Sequence, residues 1–485
     1  LTATATPRVA TDICKAFNIN EQISLFRTST YRPNLQLLAE SGQTKFDLYP
    51  KLFKFLRRNR GATIVYVTLQ KQTEFLADDL RREGFKAKSF HAGMDTAAKI
   101  KLQEEFMRSE DLVICSTIAF GMGIDKASIR NVVHFNIPSS LESYSQEIGR
   151  AGRDGDLSKC MFYVCGEDLH LREIFARGEL PSHESISGLV QEIFSPTNAA
   201  LSVGSEIKFG HYTQQKDYDM RSNTLASIYA QLELTYGLIR ATTPMYTKYT
   251  YAPGPKYSLL LRDNTPVGIA IRAFGKKVSK LYQIDIDAAA AKYAILRTEI
   301  IRQLQQFDAS QVLELKPGGV LNVYKILKPL PKTKPQIEEL VTAIYTSMQR
   351  REEEALNRTN SMLELITAKA CFSRSLAQHF GDDLPDGKQE CGHCTWCMTH
   401  KQVVQQNPHP VRFNWAAFNE ILKIVKDRDD PRLLARIAFG ITSPRVTTLK
   451  LGKHPIFGSM ADHEFMVGPL GNCSRMVCLH FNRIY

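Results

Sequence analysis

No stretch of the 485 residues approaches the run of about 18 apolar side chains that a membrane-crossing helix needs, so none is expected. The opening residues also lack the basic, apolar and small-residue blocks of a secretory leader. They start at Leu1 rather than Met, inside the apolar–threonine run LTATATP, as expected of a piece of a longer chain. Cysteine is too sparse and too uneven for a disulfide framework: of ten, Cys371, Cys391, Cys394 and Cys397 gather near one another and the others scatter. That is the usage of a reducing compartment with one metal site. Acidic residues are outnumbered, 50 against 62 basic, for a net charge of +12 and a pI near 9.1. Such a balance favours an anionic partner, most often nucleic acid. The loop GxxxxGK[ST], which cradles nucleotide phosphates and their Mg²⁺, is missing too. What is present is 43% hydrophobic residues, ample for packed cores, over a length that suits roughly two to four domains.

From about residue 44 to residue 165, strands and helices alternate. Helices are predicted over 46–58, 70–82, 96–107 and 141–150, and strands over 63–67, 87–90, 112–115, 131–135 and 159–164. This rhythm makes a parallel sheet flanked by helices, whose ligands bind at the carboxyl ends of the strands. His91, Ser116, Thr117, the run FGMGID at 120–125 and the run QEIGRAGRDG at 146–155 are all expected on that side. Within the last run, Arg150 and Arg153 would share a helical face. Two guanidinium forks on one face suit a polyphosphate, and nearby glycines permit close backbone approach. An isolated RxxR is more often a solvated helix end; convergence with the other segments favours the ligand reading.

These segments resemble the motifs of RecQ helicases. Thr2, Ala3 and Thr4 look like helicase motif III, and Tyr66 lies in a segment similar to motif IV. The run FHAGM at 90–94 resembles the family's YHAGL, TIAFGMGIDK at 117–126 resembles motif V, and 146–155 resembles motif VI almost letter for letter. The resemblance implies the second RecA-like lobe of an ATP-dependent 3′–5′ DNA helicase of recombination, repair and replication. It implies ATP and Mg²⁺ as cofactors, single-stranded DNA and duplex junctions as partners, and the nucleus as location. It casts Arg153 as the arginine finger reaching ATP across the lobe cleft, and Arg150 and Gln146 as supports for phosphates or interlobe contacts. Gly123 and Asp125 fall at the edge that couples nucleotide to DNA. The family's phosphate loop and DExH box belong to its first lobe, and neither occurs here. By itself, this chain is expected not to hydrolyse ATP.

Beyond residue 172 the alternation stops. A helix over 224–236 followed by strands at 238–241 and 245–251 suggests a winged helix. There the tyrosines and Lys248 would either stack bases or form an ordinary packed aromatic face. A second such unit is expected from a helix over 292–307, a strand over 310–315, a turn at KPGG (316–319) and a return strand over 320–327. Lys325, Lys328, Lys332 and Lys334 fit either phosphate contacts or a solvated linker. A long helical stretch over 336–380, with a possible break near Asn360, contains Cys371. Cys391, Cys394 and Cys397 follow in a loop, and four thiolates in a tetrahedron select Zn²⁺. His393 is a weaker ligand candidate. The arrangement resembles the RecQ zinc module, although the commoner family layout lacks the roughly 200 residues that separate it here from the lobe. That spacing looks more like the Rothmund–Thomson-type branch. Near the end, Arg432, Arg436, Arg445 and Lys450 would face either DNA or solvent, and the tail past Phe465, with Cys473 and Cys478, has no clear pattern.

The expected fold class is thus α/β: a RecA-like parallel-sheet lobe, then α+β winged-helix-like modules and a helical four-cysteine zinc module. The expected division is 1–43 first-lobe end and linker, 44–172 second lobe, 205–335 winged-helix-like region, 336–400 zinc module and 410–466 C-terminal helices. The rival readings are a non-catalytic DNA-binding protein built from the wings and the zinc, and an RNA helicase of the same superfamily.

Overall fold

Apolar runs in the first third of the chain form the centre of a parallel sheet. In the computed structural model, which describes residues 4–121, 123–405, 412–426, 430–463 and 465, six parallel strands are β1 (Leu35–Ser41), β2 (Thr63–Tyr66), β3 (Ala87–Phe90), β4 (Val113–Ser116), β5 (Asn131–His134) and β6 (Ser158–Val164). Their order is β1-β6-β5-β2-β4-β3. Every residue of β2, β4 and β5 is buried, as expected of strands covered on both faces. The helices Lys45–Arg58 and Gln70–Arg82 pack on one face through Leu48, Leu52, Leu76 and Leu80. Thr96–Arg108 and Leu141–Ile148 pack on the other through Leu102, Phe106, Tyr144 and Ile148. The Lys45–Arg58 helix starts with a reciprocal cap between Thr44 and Asp47.

The sheet starts earlier than residue 44. Leu35, Leu37 and Ala39 alternate into the core, and β1 pairs with β6 from Leu35↔Ser158 to Ser41↔Val164. The segment placed with the linker therefore supplies an edge strand. The expected location of the arginine segment is also corrected. A helix that runs back along its sheet delivers the next loop to the opposite end. Residues 149–157 accordingly lead into the amino end of β6, and Arg153 and Gly152 donate their amides to the carbonyls of Ala127 and Ile129, just before β5.

The middle of the chain does not form two separate winged helices. Its strands β7 (Glu206–Phe209), β8 (Ile239–Ala241), β9 (Met245–Pro253), β10 (Gly275–Val278), β11 (Leu281–Ile284) and β12 (Leu313–Ile326) join one antiparallel sheet. The KPGG run is no turn: β12 continues through it, paired with β9 from Leu313↔Pro253 to Leu321↔Met245. Among the described residues that half of β12 pairs only with β9, so Pro317 sits on an edge, where its missing donor is tolerated. Its other half pairs with β7 and β8 and closes a second core around Ile207, Leu225, Ile228 and Ile326. Tyr249 and Tyr251 are buried, Tyr251 stacking on Tyr282 at 5.2 Å, so these two belong to a packed aromatic face.

His211 stacks on Tyr229 at 4.5 Å and its Nε2 lies 2.9 Å from the Tyr324 hydroxyl. Burial lowers its pKa from 6.5 to about 4. Between those values the unfolded chain binds a proton that the folded chain refuses, so stability falls as pH drops from 6.5 towards 4. The expected result is a Tm that declines through this window and declines less in His211→Phe; an equal decline in both would remove His211 as a cause.

The helix Lys334–Thr367 runs unbroken through Asn360, about 50 Å at 1.5 Å per residue. It ends before Cys371, which caps the next helix, Phe372–His379. Midway, buried Glu352 accepts from Arg177 at 3.2 Å and from Arg432. Arg436 pairs with Asp219 at 2.9 Å, and the Arg445 amide donates to the same carboxylate. Arg432 and Arg436 are therefore buried in the helix Pro431–Phe439, tying the C-terminal helices to the body of the protein instead of facing DNA. Removing Glu352 takes a buried carboxylate from two buried guanidiniums, leaving Arg177 with Glu173 and Arg432 with the carbonyls of Arg177 and Leu180. Glu352→Ala is expected to cost about 3–5 kcal/mol, read as a lower denaturant midpoint; a loss under about 1 kcal/mol would show the pair is dispensable. The tail from 466, including Cys473 and Cys478, lies outside the described residues, as do Thr2, Ala3 and Met122.

Candidate functional site

The Leu141–Ile148 helix is started by Ser140, whose hydroxyl accepts from the Ser143 amide. It stops at Gly149. Gly152 then adopts φ +55, and a side chain there would collide with Asn34 Nδ2 and Ser158 Oγ, at 2.5 and 2.7 Å. The two arginines consequently leave the helix in different directions and do not share a face. Arg150 turns inward, is buried, and donates through Nη1 to the carbonyl of Gly121. Gly121 has φ +150, and a Cβ on it would run into the Arg150 guanidinium. Arg153 turns outward and pairs through Nη1 with Asp125 Oδ1 at 2.5 Å, the two side chains being 39% and 84% exposed. Both forks therefore grip the 120–125 segment, one by backbone and one by carboxylate. Gly123, at φ +78, lies exposed between them, and Gln146 is exposed on the helix one turn before Arg150.

Buried contacts hold this pair of loops. Glu147 Oε2 lies 2.6 Å from His134 Nε2 and fixes the helix to β5. His134 stacks on Tyr66, whose hydroxyl donates to the Phe120 carbonyl at 3.0 Å, and burial pushes that phenol well above its usual pKa. Two residues that sequence reasoning did not find are central. Arg32 donates to the carbonyls of Gly149, Ala151 and Gly152 at 3.5, 3.1 and 2.5 Å. Asn34 donates to those of Gly152 and Asp156 at 2.8 and 3.0 Å. A cation on the unpaired carbonyls of a helix end is favourable. No local signal marked these residues, because the contacts cross about 120 positions.

The second centre is the cysteine cluster. The Sγ atoms of Cys371, Cys391, Cys394 and Cys397 all lie within 4.8 Å of one another. Tetrahedral Zn–S bonds of about 2.3 Å require sulfurs about 3.8 Å apart; Cys391–Cys397 and Cys394–Cys397 measure 3.9 and 3.4 Å. The amides of Cys391, Cys394 and Cys397 donate to the sulfurs of Cys371, Cys391 and Cys394 at 3.2, 3.3 and 3.5 Å. Such donors stabilise thiolates, so the four residues fit Zn²⁺. His393 lies outside the cluster, its Nε2 3.4 Å from the Tyr31 hydroxyl. Although some 200 residues separate the lobe from this module, the two share one core: Cys394 belongs to the same buried hydrophobic cluster as Leu35, Leu37, Ala39 and Ile148. Thr395 Oγ1 accepts from the Ala39 amide at 2.9 Å on the open edge of β1. The stretch before β1 is clamped from the same side, Asp382 accepting from Ser29 and Thr30 at 2.7 and 2.8 Å, and the Phe380 carbonyl from Arg27.

Residues 44–155 match the family described as helicase conserved C-terminal domain, and residues 334–398 match RecQ zinc-binding. The chain is 25% identical over 492 residues to the ATP-dependent DNA helicase Q-like 5 of Arabidopsis thaliana, an alignment covering 96% of this chain and 51% of that protein. It is 37% identical over 190 residues to ATP-dependent DNA helicase Q5 of Rattus norvegicus, covering 37% of this chain and 20% of that one. It is 38% identical over 185 residues to ATP-dependent DNA helicase RecQ of Bacillus subtilis (strain 168), covering 38% and 30%. The chain thus spans about half or less of the length of these relatives. The segment between lobe and zinc module aligns within the plant protein. No described helix is long and apolar enough to cross a membrane.

Proposed function

We propose that this chain, which corresponds to the C-terminal portion of a RecQ-family helicase, is the second motor lobe, zinc module and accessory body of an ATP-dependent 3′–5′ DNA helicase. The observation that carries the reading is the joint hold of Arg150 and Arg153 on the 120–125 segment. Arg153 is the one of the two with a solvent-facing fork. Its present partner, Asp125, is itself exposed, and such a pair is worth at most about 1 kcal/mol. The guanidinium is therefore easily exchanged onto a phosphate oxygen. Arg150 cannot make that exchange without leaving the Gly121 carbonyl, so its role is to hold the two loops as one body.

ATP with Mg²⁺, bound at a first lobe that carries the phosphate loop and DExH box, supplies the free energy of stepping. Arg153 donates to the transferring phosphoryl group from this side of the cleft. Asp125, released from the pair, reports that engagement to the 117–125 segment, and Gly123 lets the segment change conformation with no side chain in the way. Gln146 contacts the opposing lobe from the exposed helix face. Arg32 and Asn34 transmit the movement to β1 and the zinc module. The substrate is single-stranded DNA at a duplex junction, and the work lies in recombination, repair and replication in the nucleus.

Single-stranded-DNA-stimulated ATP hydrolysis tests this. The chain alone is expected to show no turnover, whereas joined to a first lobe it turns over ATP and unwinds a 3′-tailed duplex. Turnover by the chain alone, abolished in Arg153→Ala, would overturn the division between lobes. DNA binding without turnover, even with a first lobe present, would favour a non-catalytic DNA-binding protein.

A further inference from the structure

Between β9 and β12 the protein exposes one whole face of an antiparallel sheet. Helices cover the other face, where Tyr249, Tyr251, Ile284 and Leu313 are buried. Paired residues on neighbouring strands point to the same side, so the register identifies the open face. Lys276 pairs with Gln283, Gln283 with Thr250, and Thr250 with Lys316. These four form a single polar row across β10, β11, β9 and β12, about 14 Å wide at the usual strand spacing. On either side lie the rows Lys248↔Gly318 and Val278↔Leu281, and beyond the first of these comes Val320, paired with Tyr246; the Tyr246 ring stands edge-on to that of Tyr249 at 6.2 Å, at the rim of the sheet. Lys248, Lys276, Lys316 and Gln283 are exposed, and Tyr246, Val278 and Val320 are 37%, 55% and 45% exposed.

We propose that this face is a platform for a single-stranded polynucleotide, separate from the motor lobe; the proposal rests on the reading that the protein works on nucleic acid. A face meant only for water mixes both signs of charge and hides its apolar groups. This one does neither. Its single acid within the paired rows is Glu314, neutralised by Lys316 at 3.0 Å. Residues 245–326 carry twelve Lys or Arg against six Asp or Glu, half of the excess charge of the whole chain. The β10–β11 turn adds Lys280 beside Ser279, which is held at φ +59. Lysines bordering a row of uncharged hydrogen-bonding groups, with a tyrosine ring and valines exposed beside them, suit a strand that lays bases on the sheet and phosphates along its margins. A duplex, with its bases stacked inward, has no use for the ring and the valines. Gly318, opposite Lys248, leaves room for a base, since a Cβ there would meet nothing within 4 Å.

The test is fluorescence anisotropy of the whole 485-residue chain with labelled (dT)20 and U20 across a salt series. The variants are the triple Lys248→Glu/Lys276→Glu/Lys316→Glu and, separately, Tyr246→Ala; zinc content and circular dichroism confirm that both fold. The triple variant is expected to bind at least tenfold more weakly near 0.1 M salt, with a salt slope smaller by about 2, as loss of three single-strand phosphate contacts predicts. Tyr246→Ala is expected to weaken binding roughly fivefold or more with the slope unchanged, the mark of stacking over charge. A loss seen with both oligonucleotides assigns a platform indifferent to the sugar, and a loss confined to one assigns that nucleic acid. Wild-type affinity and slope in both variants would sink the platform and leave the motor reading intact, since that reading stands or falls on turnover and unwinding.

Discussion

Arg153→Ala, in a protein that joins this chain to a first lobe, is expected to lower DNA-stimulated ATP hydrolysis by roughly 10³–10⁵-fold, with fold and zinc content unchanged. The magnitude follows from charge that spreads over the transferring phosphoryl oxygens and meets the fork only at the barrier. The fold survives because the Arg153–Asp125 pair is exposed and contributes little. Arg153→Lys keeps the charge but not the planar fork, so it should recover only a minor part. Arg150→Ala provides the contrast. It removes a buried donor from the Gly121 carbonyl, so it should lower the Tm as well as the rate. Near-wild-type turnover in Arg153→Ala would take the finger role away from this residue.

Loss of the metal should reach further than the zinc module. Structural zinc sites are worth about 10–16 kcal/mol of apparent binding free energy at neutral pH. Here the site is not a separate appendage, since Cys394 is fully buried in the same core as β1 and the Leu141–Ile148 helix. Chelation, or Cys394→Ser, is expected to release about one zinc per chain, lower the Tm of the motor lobe, and speed hydrogen exchange at the Ala39 amide, whose acceptor is Thr395. His393→Ala should keep its zinc. A Cys394→Ser protein with full zinc and an unchanged Tm would refute the four-cysteine assignment.

How much of this was legible beforehand depended on how local the signal was. β2, β4 and β5 could be read because strands buried on both faces appear as unbroken apolar runs. β1 carries an equally clear alternation at Leu35, Leu37 and Ala39, but it lies outside the strand–helix alternation that starts near residue 44, so the sequence groups it with the linker. The KPGG run has every mark of a turn, and only its place on an edge explains why β12 passes through it. Motif spacing nominated Gly123, Asp125, Gln146, Arg150 and Arg153 as site residues, but it could not show their geometry. Gly149 and Gly152 end the helix, so Arg150 and Arg153 diverge. Arg432 and Arg436 read as facing DNA or solvent because their partners, Glu352 and Asp219, lie 80 and 217 positions away. The spacing of the cysteines displayed the ligand set, yet nothing in it showed that the module returns to the lobe.

That return has a consequence in time. The ribosome finishes β6 at Val164 long before it reaches Cys397, and at roughly 5–20 residues per second the interval is about ten to fifty seconds. Throughout it, β1 can pair with β6 while its outer edge waits for the Thr395–Thr399 helix that will cover it. An uncovered strand edge is a template for pairing with other chains. The nascent lobe must therefore pass through a sticky stage whose length is set by the inserted body, and shortening that insertion, or supplying a chaperone that shields the edge, should raise the yield of soluble protein.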